Sequence, residues 1–118
     1  MKLRRGDIVL LRAPFTNRAG AKARPMLVVQ NDENNARMAN TILLFITSNT
    51  KRASFPTQVL IDPGTPEGEL SGLKQPSTVS CENVLTVVQQ DILRTIGHLP
   101  PSLLRRVDRA LKVSLGLR

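Results

Sequence analysis

What most limits the folds open to this chain is its rhythm: short aliphatic runs, each closed by turn-forming residues, and a helical period only near the end. Residues 8–11 follow Gly6-Asp7, and residues 26–29 stop at Gln30-Asn31-Asp32, which favour turns and helix caps. Residues 41–48 are apolar and β-branched, residues 58–61 form a fourth run, residues 79–88 a fifth, and residues 95–99 a weaker extended segment. Between them, residues 13–23 show neither period and predict a basic loop, and residues 32–40 predict a short helical turn or a loop. Residues 62–78 hold three prolines and three glycines, which predicts a long loop with no central helix or strand.

After Pro100-Pro101 the period changes to 3.6. Leu103, Leu104, Val107, Ala110, Leu111, Ser114 and Leu115 share one face, opposite Arg105, Arg106, Asp108, Arg109 and Lys112. Ser102 is the expected N-cap, and Gly116 with Leu117 the expected Schellman stop. Strands in succession closed by one amphipathic helix predict a single domain over residues 1–118, mainly β with a C-terminal α-helix, as a small antiparallel β-barrel or strongly coiled sheet.

Charge narrows the partner. The net charge is +8, and residues 1–60 carry ten Lys or Arg against three acids, whereas residues 61–118 carry seven against six. A surplus of that size favours a polyanion or an acidic protein, met by a surface built from the first half. The single cysteine, Cys81, has no disulfide partner in the chain and no Cys or His cluster from which to make a zinc site; it reads as a buried small residue. A reducing, cytoplasmic setting is the expectation, since MKLRRGD lacks an apolar segment behind its basic residues.

Within that frame the stretch KARPMLVVQND, residues 22–32, sets a cation at a strand mouth. Pro25 fixes φ and lacks an N–H, so the Arg24 guanidinium is presented at a rigid rim. The strand ending FITS brings Thr47 and Ser48 into consideration as the other half of an anion site suited to a phosphodiester. Alternation along that strand would let at most one of the two hydroxyls face the site.

The motifs in order resemble the MazF/PemK family, the toxin halves of bacterial toxin–antitoxin pairs. They are RGDIVLL from Arg5, ARP from Ala23, LVVQND from Leu27, FITS from Phe45, SGLKQPS from Ser71, SCEN from Ser80, and IGHL before a helix ending SLGL. The resemblance implies an SH3-like (CcdB/MazF-type) barrel, a homodimer, and metal-independent, cofactor-free cleavage of single-stranded RNA restrained by a cognate antitoxin. The family's catalytic arginine and threonine fall on Arg24 and Thr47. A paired arginine and acid of the PemK branch fall on Ser80 and Glu82, so the acid is kept and the arginine is not. Leu85 stands where many relatives have an arginine.

The chemistry implied is attack of a ribose 2′-OH on the neighbouring phosphate, giving a cyclic phosphate and a 5′-OH. A fixed guanidinium at Arg24 suits the charge that builds on the non-bridging oxygens. Thr47 offers a hydroxyl to the phosphate or the 2′-OH, and Glu82 is either a general base or a surface carboxylate. Arg18, Lys22, Lys51, Arg52 and Lys74 lie on expected loops and form a candidate track for the RNA backbone, joined by Ser48, Ser77 and Ser80. Phe15 either stacks a base or plugs the core, while Phe45 is the expected core aromatic. One histidine, His98, excludes a histidine-pair nuclease. Two other classes remain: a non-catalytic CcdB-like inhibitor, and a plain nucleic-acid-binding barrel, which three aromatics with no Trp or Tyr serve poorly. The expected antitoxin is an acidic, partly disordered segment lying over the Arg24 loop.

Overall fold

The computed structural model describes residues 2–12 and 22–118. The aliphatic runs become strands β1 (Asp7–Arg12), β2 (Ala23–Val28), β3 (Asn40–Thr47), β4 (Gln58–Ile61), β5 (Ser77–Val88) and β6 (Ile92–His98), with short helices α1 (Asp32–Arg37) and α2 (Pro66–Glu69) between them. All pairings are antiparallel, in the order β4-β5-β3-β2-β1-β6. Among the described residues no β4–β6 pairing closes the sheet, so the expected barrel is realised as an open sheet coiled by register shifts. These fall between Ile8/Val9 and Leu10/Leu11 in the β1–β6 ladder, and between Leu44/Phe45 in the β3–β5 ladder.

Side-chain alternation gives the sheet two apolar faces. On one, Ile8, Leu27, Leu44, Ile46, Val59, Val79 and Cys81 meet Leu103, Val107 and Ala110 of the helix α3 (Pro101–Leu115). On the other, Val9, Leu11, Met26, Val28, Leu43 and Ile92 cluster with Leu3, and Phe45, expected in the core, packs against them half-buried. At about 1.5–3 kcal/mol for each large aliphatic buried, the α3 face is the larger source of cohesion.

Two local expectations are corrected. Ser102 does not cap α3. The helix begins two residues earlier than that cap would set it, with Pro101 in its first turn and Pro100 as a cap without a side-chain bond, and Ser102 Oγ instead donates to Glu67 Oε2 at 2.7 Å. The loop expected over 62–78 also contains a one-turn helix, Pro66–Glu69, because the Thr65 side chain accepts from the Gly68 N–H at 3.0 Å. The C-terminal stop forms as a Schellman closure, with Gly116 at φ 69° and Leu117 N donating to Lys112 O at 2.8 Å.

After the one-turn helix the chain straps across β6. His98 N donates to Leu70 O at 2.9 Å, and the approach is close because Gly72 on the strap and Gly97 on β6 bring no side chains to it. A Cβ on Gly72 would stand 2.1 Å from Ile96 O, and one on Gly97 would stand 2.3 Å from the Ser71 carbonyl carbon. The strap thereby brings residues 72–77 up beside the start of β2. Among the described residues no helix is long and apolar enough to cross a membrane.

Candidate functional site

The site begins where β2 and β3 part. Their ladder runs Val28–Leu43, Leu27–Leu44, Met26–Phe45 and stops, yet β2 continues along β1 to Ala23 and β3 continues along β5 to Thr47. The backbone shows why. Val28 O accepts from Gly6 N at 2.8 Å, beside the start of β1, and Val29 N donates to Ile42 O at 2.9 Å on the β3 side. Alternation turns Pro25 toward β3 as well, and proline has no N–H to extend the ladder. The two strands fork at that point, with Arg24 on one tine and Thr47 on the other, each two residues beyond the last pair.

An open cleft of about 680 Å³ occupies the fork. Lys22, Arg24, Thr47, Ser48, Lys74 and Ser77 all line it, so six of the sequence-derived candidates converge there. Arg94 of β6 joins them; it sits opposite Leu10 across the β1–β6 ladder and was missed because nothing in residues 92–98 marks it apart from surface charge. Among the described residues the lining therefore holds four cations, Lys22, Arg24, Lys74 and Arg94, and no carboxylate. None of the four makes a side-chain hydrogen bond or ion pair among the described residues. Such a concentration of one sign within a recess attracts an anion and holds it less strongly as salt rises.

Thr47 and Ser48 share the cleft, contrary to the alternation argument, because β3 ends at Thr47 and Ser48 lies in the following bend. The Thr47 Oγ1 accepts from Asn49 N at 3.1 Å, which fixes the oxygen and leaves its proton to donate. Thr47 also lines a second cavity of about 490 Å³, with Lys51, Arg52, Gln58, Ser80 and Asn83 on its other walls. Lys51 and Arg52 are exposed at its rim, and Ser80 is buried at 3% exposure. Phe15 and Arg18 lie outside the described residues.

Glu82 lines neither cavity, so the structure does not bring it to Arg24. It lies in the β5 segment that the register shift skips, and accepts from Ser80 Oγ at 2.6 Å, Gln58 Nε2 at 2.9 Å and Thr57 Oγ1. Burial works to raise its pKa, but the bonds from Ser80, Thr57, Gln58 and its own backbone outweigh that and hold it below the ordinary carboxylate value. A carboxylate so satisfied is a weak base. Cys81, beside it, is fully buried, and desolvation with the nearby Glu82 and Asp108 charges pushes its thiol up to about 12. Arg5 serves the scaffold, donating from Nε to Val29 O at 3.0 Å and from Nη2 to Asp108 Oδ1 at 2.5 Å.

Comparison with known proteins gives the family and the fold. Residues 4–115 match the model of the PemK-like, MazF-like toxins of type II toxin–antitoxin systems. The chain is 31% identical over 118 residues to Endoribonuclease EndoA of Bacillus subtilis, covering 99% of this chain and 97% of that protein. It is 38% identical over 98 residues to Endoribonuclease MazF6 of Mycobacterium tuberculosis, covering 82% of each. A solved mycobacterial endoribonuclease in complex with its cognate antitoxin shares the fold at TM-score 0.77 and 24% identity, with 98% and 97% of the two chains covered.

Proposed function

This chain belongs to the PemK-like, MazF-like toxins of type II toxin–antitoxin systems, and we propose that it is an endoribonuclease that cuts single-stranded RNA, with Arg24 and Thr47 as the catalytic pair. The observation that carries the reading is the fork: among the described residues, three further cations and no carboxylate surround the two side chains.

The substrate's own ribose supplies the nucleophile. Its 2′-oxygen attacks phosphorus, the bond from phosphorus to the 5′-oxygen breaks, and the products are a 2′,3′-cyclic phosphate and a 5′-OH. Arg24 donates to the non-bridging oxygens as charge builds on them, and Thr47 donates its hydroxyl proton to the same group. Neither the described lining nor residues 13–21 contain an acid or a histidine, so within one chain the 2′ proton leaves to water and the 5′-oxygen takes one from water. Lys22, Lys74 and Arg94 hold flanking phosphates, with Ser48 and Ser77 beside them. No step calls on a metal ion or cofactor.

The protein acts in the cytoplasm as a homodimer, for which exposed Val84 and Val88 on β5 and Leu93 on β6 supply apolar surface. An acidic antitoxin segment neutralises it by filling the cationic cleft that RNA would occupy. Incubation of the purified protein with a long single-stranded RNA in EDTA, followed by mapping of the ends, tests the reading. Discrete cuts bearing cyclic phosphate and 5′-OH ends are expected; intact RNA across varied sequences would refute it.

A further inference from the structure

The cavity on the other side of Thr47 has a floor that the cleavage chemistry leaves unused. Its volume of about 490 Å³ falls within the range of small-molecule sites. Beside Gln58 on that wall, the exposed Glu82 gathers three donors: Ser80 Oγ, Thr57 Oγ1 and Gln58 Nε2. An ionised carboxylate can only accept, so it dictates which end of the Gln58 amide faces it. The NH₂ turns to Glu82, and the carbonyl Oε1 is left pointing elsewhere. That oxygen is buried without a partner, in a residue only 9% exposed that lines the cavity wall. Buried acceptors are nearly always paired, so an unpaired one in a cavity wall marks a place for a ligand's donor. Asn83 Nδ2 donates to Ser80 Oγ at 2.8 Å, which steadies the neighbouring wall.

Building on the endoribonuclease reading above, we propose that this cavity seats one nucleobase beside the scissile phosphate and that Gln58 selects a base bearing an exocyclic amino group. Because the acceptor lies within the wall, its donor must project beyond the ring. The amino groups of cytosine, adenine and guanine do so. The ring N–H of uracil is flanked by two carbonyl oxygens, which meet the wall first. Lys51 and Arg52 at the rim hold the adjoining phosphates. Glu82 is then a positioning residue: it acts through Gln58 by fixing the orientation of the amide.

Binding to uncleavable RNA tests this separately from catalysis. Short 2′-O-methyl oligonucleotides carrying cytidine or uridine at each position in turn are titrated against wild type, Gln58→Leu and Glu82→Gln. Wild type should prefer cytidine at one position by about tenfold, the size expected of one good base contact. In both variants the preference should shrink to about threefold or less, chiefly through weaker binding of the cytidine form. The Glu82 variant retains Gln58 but allows its amide to turn, so it separates orientation from bulk. Absence of a wild-type preference, its survival in both variants, or an equal loss of affinity for both oligonucleotides would overturn the proposal. A wild type that shows the preference yet cuts no unmethylated RNA would overturn the nuclease reading alone.

Discussion

Arg24 and Thr47 stand two residues past the last β2–β3 pair, on strands that have stopped bonding to each other but are each still held by the neighbour on the other side. That arrangement gives a rigid pair facing an open space without a loop to order. Arg24→Ala should lower cleavage by about 10²–10³-fold, the scale of losing one oxyanion-type donor. Arg24→Lys should recover only part of it, since an ammonium cannot grip two phosphate oxygens in a planar fork. Arg24 is exposed, so the melting temperature should hardly move in either variant, and cleavage rates measured beside thermal melts will separate the two effects.

The other cations of the cleft should act on binding more than on the bond-breaking step. Each of Lys22→Ala, Lys74→Ala and Arg94→Ala should weaken RNA binding and reduce the slope of log affinity against log salt by about 0.7, the value for one phosphate contact on a single strand. Arg105→Ala, on the exposed face of α3, should leave the slope unchanged. Titrations at several salt concentrations measure this directly.

Much of the site was legible because residue type and local chain chemistry coincide there. Arg24-Pro25 announces both the cation and the broken ladder, and FITS announces the hydroxyl across from it. Arg94 was not legible, because its role comes from β1 carrying β6 to the cleft, a relation set by pairing over a long separation. Glu82 was left open between base and surface carboxylate for a related reason: its chemistry depends on Thr57 and Gln58, which reach it from the preceding turn and from β4. The polar run QND turned out to be structural, with Gln30 Nε2 donating to Asn35 Oδ1 at 2.9 Å and Asn31 capping the next helix. The aliphatic runs fixed strand positions to within a few residues, whereas Ser102 misled because proline had already started the helix.

The strap over β6 should be intolerant of one methyl group. Gly97→Ala puts a Cβ 2.3–2.5 Å from the Ser71 and Leu70 carbonyls, which are backbone and cannot swing aside. A loss of about 1–3 kcal/mol is expected, as for overpacking elsewhere, together with reduced cleavage as Lys74 and Ser77 shift from the cleft wall. Denaturant melts and cleavage assays on the same preparation test both parts. Full stability with full activity would show that the strap has slack.

Glu82 makes stability depend on acid. Its folded pKa lies below its ordinary value, so its contribution is complete above that value and is lost as pH falls through the folded one. Glu82→Gln should therefore be less stable than wild type near neutral pH, with the gap narrowing and closing in the acid range. Melts from pH 7 down to about 2 will show it. A gap that is constant with pH would mean that packing, not ionisation, holds the side chain there.

Pro25 gives the most direct test of the fork. Pro25→Ala returns an N–H on the side that faces β3, the direction in which Val29 N already bonds Ile42 O. With that donor present the β2–β3 ladder can extend past Met26–Phe45 and draw Arg24 and Thr47 together across a narrowed cleft. The expected result is a drop in cleavage of about tenfold or more without loss of thermal stability, since a ladder bond is gained and the residue is only half-buried. Hydrogen exchange at residue 25 should report a protected amide. Exchange as fast as in an unfolded chain, with cleavage unchanged, would show that the missing N–H is not what parts the strands.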